Sequence, residues 1–370
     1  MTAYIIRRLL FMIPTIFGIM LVSFVVVQFA PGGPIERVIA QLSGTDTGAT
    51  ARISGSPGGD FGARGQLKTP GGDAITSKYR GARGLDPEFI KQLEKQFGFD
   101  KPAYERFGIM LWNYSRFDFG KSYFRDTQVV HLIKQKLPVS ISLGLWLTLA
   151  TYLISIPLGI RKAKEDGAPF DVWTSTVITI GYALPGFLVA ILLIVLFAGG
   201  SFYNLFPLRG LTSDNWDFLP WWGKIIDYLW HLVLPITAMG LGAFTTITML
   251  TKNSFLDEIR KQYVLTARAK GCTQRQVLYG HVFRNAMLIV IAGFPGAFVH
   301  AFFSGSLLIE TIFSLDGIGL LGFESVLNRD YAVVFATLYI LSLIGLVVNL
   351  LSDLTYTWVD PRIDFETREV

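Results

Sequence analysis

Apolar side chains gather along this chain into six long runs that contain no Lys, Arg, Asp or Glu: residues 9–30, 139–160, 172–198, 229–250, 286–309 and 333–352. About 20 apolar residues, rising about 1.5 Å each along an α-helix, cross the hydrocarbon core of a bilayer. One Arg or Asp at the centre of such a span costs about 2.5–3.5 kcal/mol on the insertion scale, so six uncharged windows predict six transmembrane helices. The fold class is therefore an all-α integral membrane protein, with an extended segment after its first helix. Four parts follow: residues 1–30 with the first span, an outer segment over 31–137, a five-helix core over 138–357, and a tail over 358–370.

Residues 252–285 break the apolar pattern with a basic, helix-patterned block. Phe255, Ile259, Tyr263 and Ala267 recur every four residues and set one apolar stripe along a helix. Gly271 ends that helix, and Thr273 with Gln276 three residues on forms a capping box that starts another, with Val277, Leu278 and Val282 on one face. The expectation is a short helix, a tight glycine turn and a second short helix lying on the membrane surface.

The other connections carry weaker patterns. Residues 41–84 are a Gly, Ser and Thr mixture too poor in apolar content to bury a core, which predicts a mobile loop. Asp86-Pro87-Glu88 opens an amphipathic helix through Phe97, and a second runs from about Tyr104 to Phe117. Trp216, Trp221, Trp222 and Tyr228 fit a headgroup-level belt. Gly317, Gly319 and Gly322 suit a loop over 310–332 that dips back as a tight re-entrant turn.

Composition agrees with a membrane chain and fixes its orientation. The 370 residues are 51% hydrophobic and 16% charged, which excludes an ordinary soluble domain or a disordered chain. Arg7 and Arg8 precede the first span, Arg161, Lys162 and Lys164 follow the second, and seven Lys or Arg lie between the fourth and fifth. Those three faces read as cytoplasmic, with both termini inside; the long outer segment is a translocated domain to which the charge rule does not apply. A net charge of +5 invites a nucleic-acid reading, but a helix pair tied to spans on both sides cannot enter a major groove. The single Cys272 forbids an intrachain disulfide.

Site chemistry is sparse. Gly317-Ile318-Gly319-Leu320-Leu321-Gly322 spells a dinucleotide fingerprint but follows a span and lacks the acidic residue about twenty positions later. Gly120-Lys121-Ser122 resembles the end of a phosphate loop, yet Ser115 stands where its first glycine belongs. The chain is thus expected to bind no ATP, no metal and no other cofactor, and to carry no catalytic constellation. His131, His231, His281 and His300 are scattered without metal-ligand spacing. His300, within the fifth window, is either a pathway residue or a neutral imidazole bonded to a neighbouring helix. Asp353 reads as an anchor at the inner end of the sixth. Pro185, Pro235 and Pro295, with Gly186, Gly240, Gly242 and Gly296, break the helical pattern within or near the spans and either line a flexible solute path or permit close helix packing.

The stretch Tyr263-Val264-Leu265-Thr266-Ala267-Arg268-Ala269-Lys270-Gly271, continued by His281-Val282-Phe283-Arg284-Asn285-Ala286, resembles the cytoplasmic loop of ABC importer permeases. Leu265 and Thr266 replace the glutamate and first alanine of that family's Glu-Ala-Ala core, and Arg284-Asn285 stands near its Leu-Pro, as in the oligopeptide and dipeptide branch. The likeness extends to Tyr4-Ile5-Ile6-Arg7-Arg8-Leu9, Ala30-Pro31-Gly32-Gly33-Pro34, Phe97-Gly98-Phe99-Asp100-Lys101-Pro102, Asp118-Phe119-Gly120-Lys121-Ser122, Asn328-Arg329-Asp330-Tyr331 and Val359-Asp360-Pro361-Arg362. It is similar to the first, B-type subunit. The insertion before Tyr79-Arg80-Gly81 and the segment Phe255-Leu256-Asp257-Glu258 are similar to Yej-type importers of peptides and microcin C-like compounds, while Asp316 departs from a common proline.

The resemblance implies a type I ABC importer permease in a bacterial inner membrane. Its partners would be a second, unlike permease subunit, two ATPase domains or one fused ATPase that use ATP and Mg, and a periplasmic peptide-binding protein. Peptide would be the cargo. ATPase coupling would fall to Phe255, Ile259, Tyr263, Thr266, Ala267, Arg268, Ala269, Gly271, Arg284 and Asn285, with their stripe set into an ATPase groove. His300, Pro185 and Pro295 would belong to the substrate pathway. The alternatives are a secondary transporter or channel subunit, an ABC permease for a solute such as nickel, and a membrane scaffold. Inverted repeats and intramembrane acidic groups, which mark many secondary transporters, are not found in the sequence.

Overall fold

The computed structural model describes residues 2–29, 88, 91, 100–122, 124–125, 127–200, 202–303 and 306–359. The loop expected over 41–84, the helix expected from Asp86 to Phe97 apart from Glu88 and Lys91, and nearly all of the 358–370 tail lie outside the described residues, as does the side chain of His300. The elements are α1 (Thr2–Phe29), α2 (Ala103–Ser115), α3 (Val129–Lys164), α4 (Pro169–Ala183), α5 (Gly186–Phe197), α6 (Trp221–Ile259) and α7 (Gln262–Ala269). Then come α8 (Gln274–Gln276), a π-helical stretch Val277–Val282, α9 (Phe283–Ala292), α10 (Phe294–Phe303), α11 (Ser306–Ile312), α12 (Ile318–Leu327) and α13 (Tyr331–Val359). Among the described residues five helices are long and apolar enough to cross a membrane, and a bent pair makes a sixth.

That pair corrects the third window. A single helix was expected over 172–198, but α4 and α5 meet at 101°. Pro185 has no N–H to give to the helical ladder and crowds the residue before it out of the α region, and Leu184 accordingly sits at φ −85°, ψ 127°. The fourth span is longer than its apolar window: α6 starts after Pro220 and keeps its helical phase through polar residues to Ile259. The fifth starts earlier than its window of 286–309: helix begins after the Thr273 cap at Gln274, because nothing stops it before Gly293, and α10 continues it to Phe303.

The chain divides into two compact units, one of Met1–Leu10, Lys136–Leu320 and Leu343–Val370, the other of Phe11–Gln135 and Leu321–Ser342. In the first unit α6 is the hub, packed against α4, α5 and α9. One apolar cluster joins Ile160, Ile247, Phe255, Val264, Val282, Ala286 and Val290; another joins Leu143, Ala190, Leu232, Ala238, Ile309 and Phe313. A Cβ on Gly159 would stand 2.6 Å from Thr251 Cβ and 2.8 Å from the Thr248 carbonyl, so here only glycine lets α3 and α6 cross this closely. Gly186 packs likewise on the Ala238 carbonyl, whereas Gly296 faces no heavy atom within 4 Å. The termini of the unit are fastened at Asp353, which accepts from Tyr4 Oη at 2.9 Å and pairs with Arg8 at 2.5 Å. The anchor expected of Asp353 is thus present.

The second unit is organised by aromatic rings. Phe24 lies 5.2 Å from Phe107 and 6.2 Å from Phe335, while Tyr114 meets Phe119 at 4.8 Å and Tyr339 at 5.6 Å between centroids. Helix α2 matches the amphipathic element expected near 104–117. Gly120-Lys121-Ser122 belongs to a turn closed by the Lys121–Gln128 bridge, and Ser122 is buried with its hydroxyl on Asp330. It offers no open cradle for a phosphate.

The expected glycine-rich re-entrant turn is also corrected. Gly319 and Gly322 lie inside α12, and the chain turns earlier, at Ser314, whose φ is 53°. Fully buried Glu310 accepts the Leu320 N–H at 2.7 Å, and Ser140 Oγ, which donates to Glu310, accepts the Ile318 N–H at 2.9 Å. A carboxylate already occupies the start of this helix, where a bound phosphate would have to sit.

Candidate functional site

The basic block contains the expected turn but a different arrangement of helices around it. Helix α6 ends at Ile259, Lys261 is extended at φ −74° and ψ 152°, and α7 begins at Gln262. The four-residue stripe is therefore divided between two helices and faces the chain's own interior. Phe255 is completely buried, Ala267 is buried, and Ile259 and Tyr263 are half-buried against the cluster of Val264, Val277, Val282 and Ala286. Periodicity alone could not separate an inward face from a docking face, because both need the same spacing.

The turn is built as its sequence requires. Gly271 has φ +83°, and Cys272 N–H donates to the Ala267 carbonyl at 3.2 Å while Gly271 N–H donates to Arg268 at 2.9 Å, the two bonds of a Schellman stop. The capping box follows, with Thr273 N–H donating to Gln276 Oε1 at 2.8 Å and Gln276 N–H to Thr273 Oγ1 at 3.4 Å. The second helix is a correction: it is not a separate surface piece but runs through the π-helical stretch directly into α9.

A polar relay holds the two sides of this turn together. Tyr263 Oη donates to Glu258 Oε2 at 2.7 Å and accepts from Asn285 Nδ2 at 3.5 Å, and Lys261 also pairs with Glu258. Burial, and after it the bond to Glu258, raises the Tyr263 phenol above its ordinary value and keeps it a donor. Ser254 Oγ adds a bond to the Ala286 carbonyl at 2.6 Å. The end of α6, α7 and the start of α9 thus behave as one piece. Glu258 was not singled out from the sequence, since one acidic residue among bases reads as a solvated charge.

The outward surface consists of other residues. Thr266, Arg268, Ala269, Gly271, Arg284 and Asn285 are exposed, as expected of candidates for contact with a partner. Between them stand two apolar side chains that sequence reasoning missed, Leu265 at 61% and Tyr279 at 57% exposure. The available signal was phase: Leu265 falls outside the stripe of Val264 and Ala267. Leu265 and Tyr279 are thus two exposed apolar side chains in a segment whose Arg268, Lys270, Arg275 and Arg284 are also exposed.

Next to this element lies a buried charge cluster. Lys162 is fully buried and pairs with Asp171 at 3.0 Å, donating also to the Asp171 carbonyl, Thr174 and Ser175 at 2.9, 2.9 and 2.7 Å. Lys252 reaches Asp171 at 2.7 Å and Asp166 at 2.9 Å. Two lysines and two aspartates therefore pin the end of α3, the start of α4 and the lower part of α6. Among the described residues no group of three His, Cys, Asp or Glu could hold a metal ion.

Pro185 and Pro295, two of the residues expected along the pathway, adjoin the lining of a cavity of about 670 Å³ in the first unit, formed by residues of α3, α4, α5, α6, α10 and α11. Pro185 forms the break immediately before lining Gly186, and Pro295 precedes lining Ala297 by one turn-internal residue. His300 lies in α10, its side chain being outside the described residues.

Comparison with known proteins yields one family and a set of full-length relatives. The profile of "Binding-protein-dependent transport system inner membrane component" matches residues 155–365. The chain is 68% identical over all of its length to the full-length "Peptidoglycan transport system permease protein YejB" of Agrobacterium fabrum. It is 58% identical, again over both whole chains, to the "Inner membrane ABC transporter permease protein YejB" of Escherichia coli O157:H7. The "Oligopeptide transport system permease protein AppB" of Bacillus subtilis is 32% identical over 99% of this chain and all of its own.

Proposed function

This chain belongs to the family of binding-protein-dependent transport system inner membrane components, a permease subunit of an ABC importer, and we propose that its cargo is a peptide. The relatives' printed names support that class: one is a peptidoglycan and another an oligopeptide permease. Family membership implies a substrate-binding protein and ATPase partners. In our reading the permease partner is a second, non-identical subunit, and the ATPases are separate or fused chains that alone use ATP and Mg. In the same reading both termini and the basic block face the cytoplasm, which the positive charges flanking the spans support.

One observation carries the coupling role: an exposed Leu265 and Tyr279 on a helix–turn–helix locked by Glu258, Tyr263 and Asn285. A partner groove can close on two apolar side chains only if they are held in place, and the relay holds them. Coupling then requires that the ATPase bind this element differently in its ATP-bound and ATP-free states. Phe255, Ile259 and Ala267 act from within, by packing the element, while Thr266, Arg268, Ala269 and Arg284 act at the contact.

The experiment is ATP-dependent uptake in proteoliposomes holding the complete importer with its binding protein. Accumulation of short peptides, with none of nickel ion, is the expected result. Uptake of the metal and not of peptides would overturn the cargo assignment.

A further inference from the structure

The basic block carries a charge pattern that family membership does not specify. From Ile259 to Asn285 the sequence contains six Lys or Arg and no Asp or Glu. Lys261 is paired with Glu258, the last acid before the run. Arg260, Arg268, Lys270, Arg275 and Arg284 are exposed, and among the described residues no carboxylate pairs with any of them. Other cations that flank spans are neutralised within the chain: Lys162 by Asp171, Lys252 by Asp166 and Asp171, Arg161 by Glu165 and Arg8 by Asp353. The block is thus a face of one sign, left uncompensated by its own chain.

Shape narrows what can meet that face. Arg275, Tyr279 and His281, with Cys272 and Thr273, line an open hollow of about 570 Å³ at the capping box. A hollow with a basic side chain and a tyrosine in its wall fits a projecting acidic side chain of a protein better than it fits a flat layer of lipid headgroups. The planar fork of Arg275 can hold a carboxylate through two parallel hydrogen bonds. A one-signed surface also attracts a partner of the opposite sign before contact and raises the rate of encounter.

We propose that the ATPase face docking on this element is acidic, and that it seats a carboxylate side chain in the hollow against Arg275. The proposal rests on the coupling reading above. Arg268 and the other exposed cations steer the approach, and so act on the rate of association. Arg275, together with the apolar Leu265 and Tyr279, holds the docked state, and so acts on the rate of dissociation as well. Docking of the ATPase is then sensitive to ionic strength, since salt screens the steering field within about 8 Å at physiological concentration.

The test follows binding of fluorescently labelled ATPase subunits to the full permease pair in phosphatidylcholine nanodiscs. Raising NaCl from about 0.05 to about 0.5 M should slow association about tenfold or more. Arg268→Glu should slow association about threefold or more and leave dissociation unchanged. Arg275→Glu should slow association and also speed dissociation about tenfold, while Arg275→Lys restores association but not the long residence. Both side chains are exposed, so their replacement does not disturb the core. Binding indifferent to salt and to both glutamate variants would overturn the proposal. Effects of the variants confined to nanodiscs that contain phosphatidylglycerol would assign the charges to anionic lipid and overturn it too. So would acceleration of binding by salt that disappears on deleting residues 363–370, because the chain's own acidic tail would then be the occupant. Leu265→Asp separates the two levels of the argument. If it releases the ATPases while the charge variants do not, only the acidic face is wrong; if it too binds normally, the coupling surface itself falls.

Discussion

Gly271 carries a left-handed backbone with open space around its missing side chain, since a Cβ there would meet no heavy atom within 4 Å. The cost of replacing it is therefore conformational, about 1–3 kcal/mol for a non-glycine residue held at positive φ. Gly271→Ala should leave membrane insertion and abundance at wild-type levels and lower peptide uptake only in part, whereas Gly271→Asp, which also places a charge on the contact surface, should abolish uptake. Immunoblot of membranes beside an uptake assay checks both. Tyr263→Phe removes the relay's central hydroxyl and leaves Glu258 with Lys261; ATPase stimulation by loaded binding protein should drop several-fold with permease abundance unchanged. Features decided by neighbours in sequence were legible here, Gly271 and the Thr273–Gln276 box above all. The inward turn of Phe255 was not, because its neighbours come from residues 277–290.

At the scale of elements, the same distinction explains the spans. Apolar windows reveal where helices lie in lipid but not where they stop, so α6 outruns its window on both sides and the fifth span starts at its capping box. The proline break between α4 and α5 was legible as a weakness and not as a 101° bend. Lys162 and Lys252 counted in the sequence as face-marking charges; their burial depends on Asp171, nine and 81 residues away. Removing one member of a buried ion pair leaves the other uncompensated, at about 3–5 kcal/mol. Asp171→Asn should accordingly lower the thermal midpoint of the purified complex and its yield, which fluorescence-detected unfolding measures. An unchanged midpoint would show that the cluster is hydrated and does not hold α3, α4 and α6.

For the whole molecule, the orientation proposed from the charges flanking the spans is tested through the outer segment, which it places outside the membrane. Protease added to spheroplasts should cut within residues 41–84, where the Gly, Ser and Thr composition supports no core; cleavage only after permeabilisation would invert the topology. Family and fold class were legible because six uncharged windows and the basic block are long and mutually consistent. The cavity was not, since it is made by residues from six helices that no linear pattern brings together.

The surface around Leu265 and Tyr279 is proposed to carry ATPase coupling. Leu265→Asp tests this, because Leu265 is 61% exposed and stands outside the apolar cluster formed by Val264 and Ala267. The measurement is recovery of the ATPase subunits with affinity-purified permease, alongside peptide uptake by the same cells. The expected result is normal permease in the membrane, loss of the ATPases from the complex and loss of uptake. A complete complex that transports at the wild-type rate would contradict it.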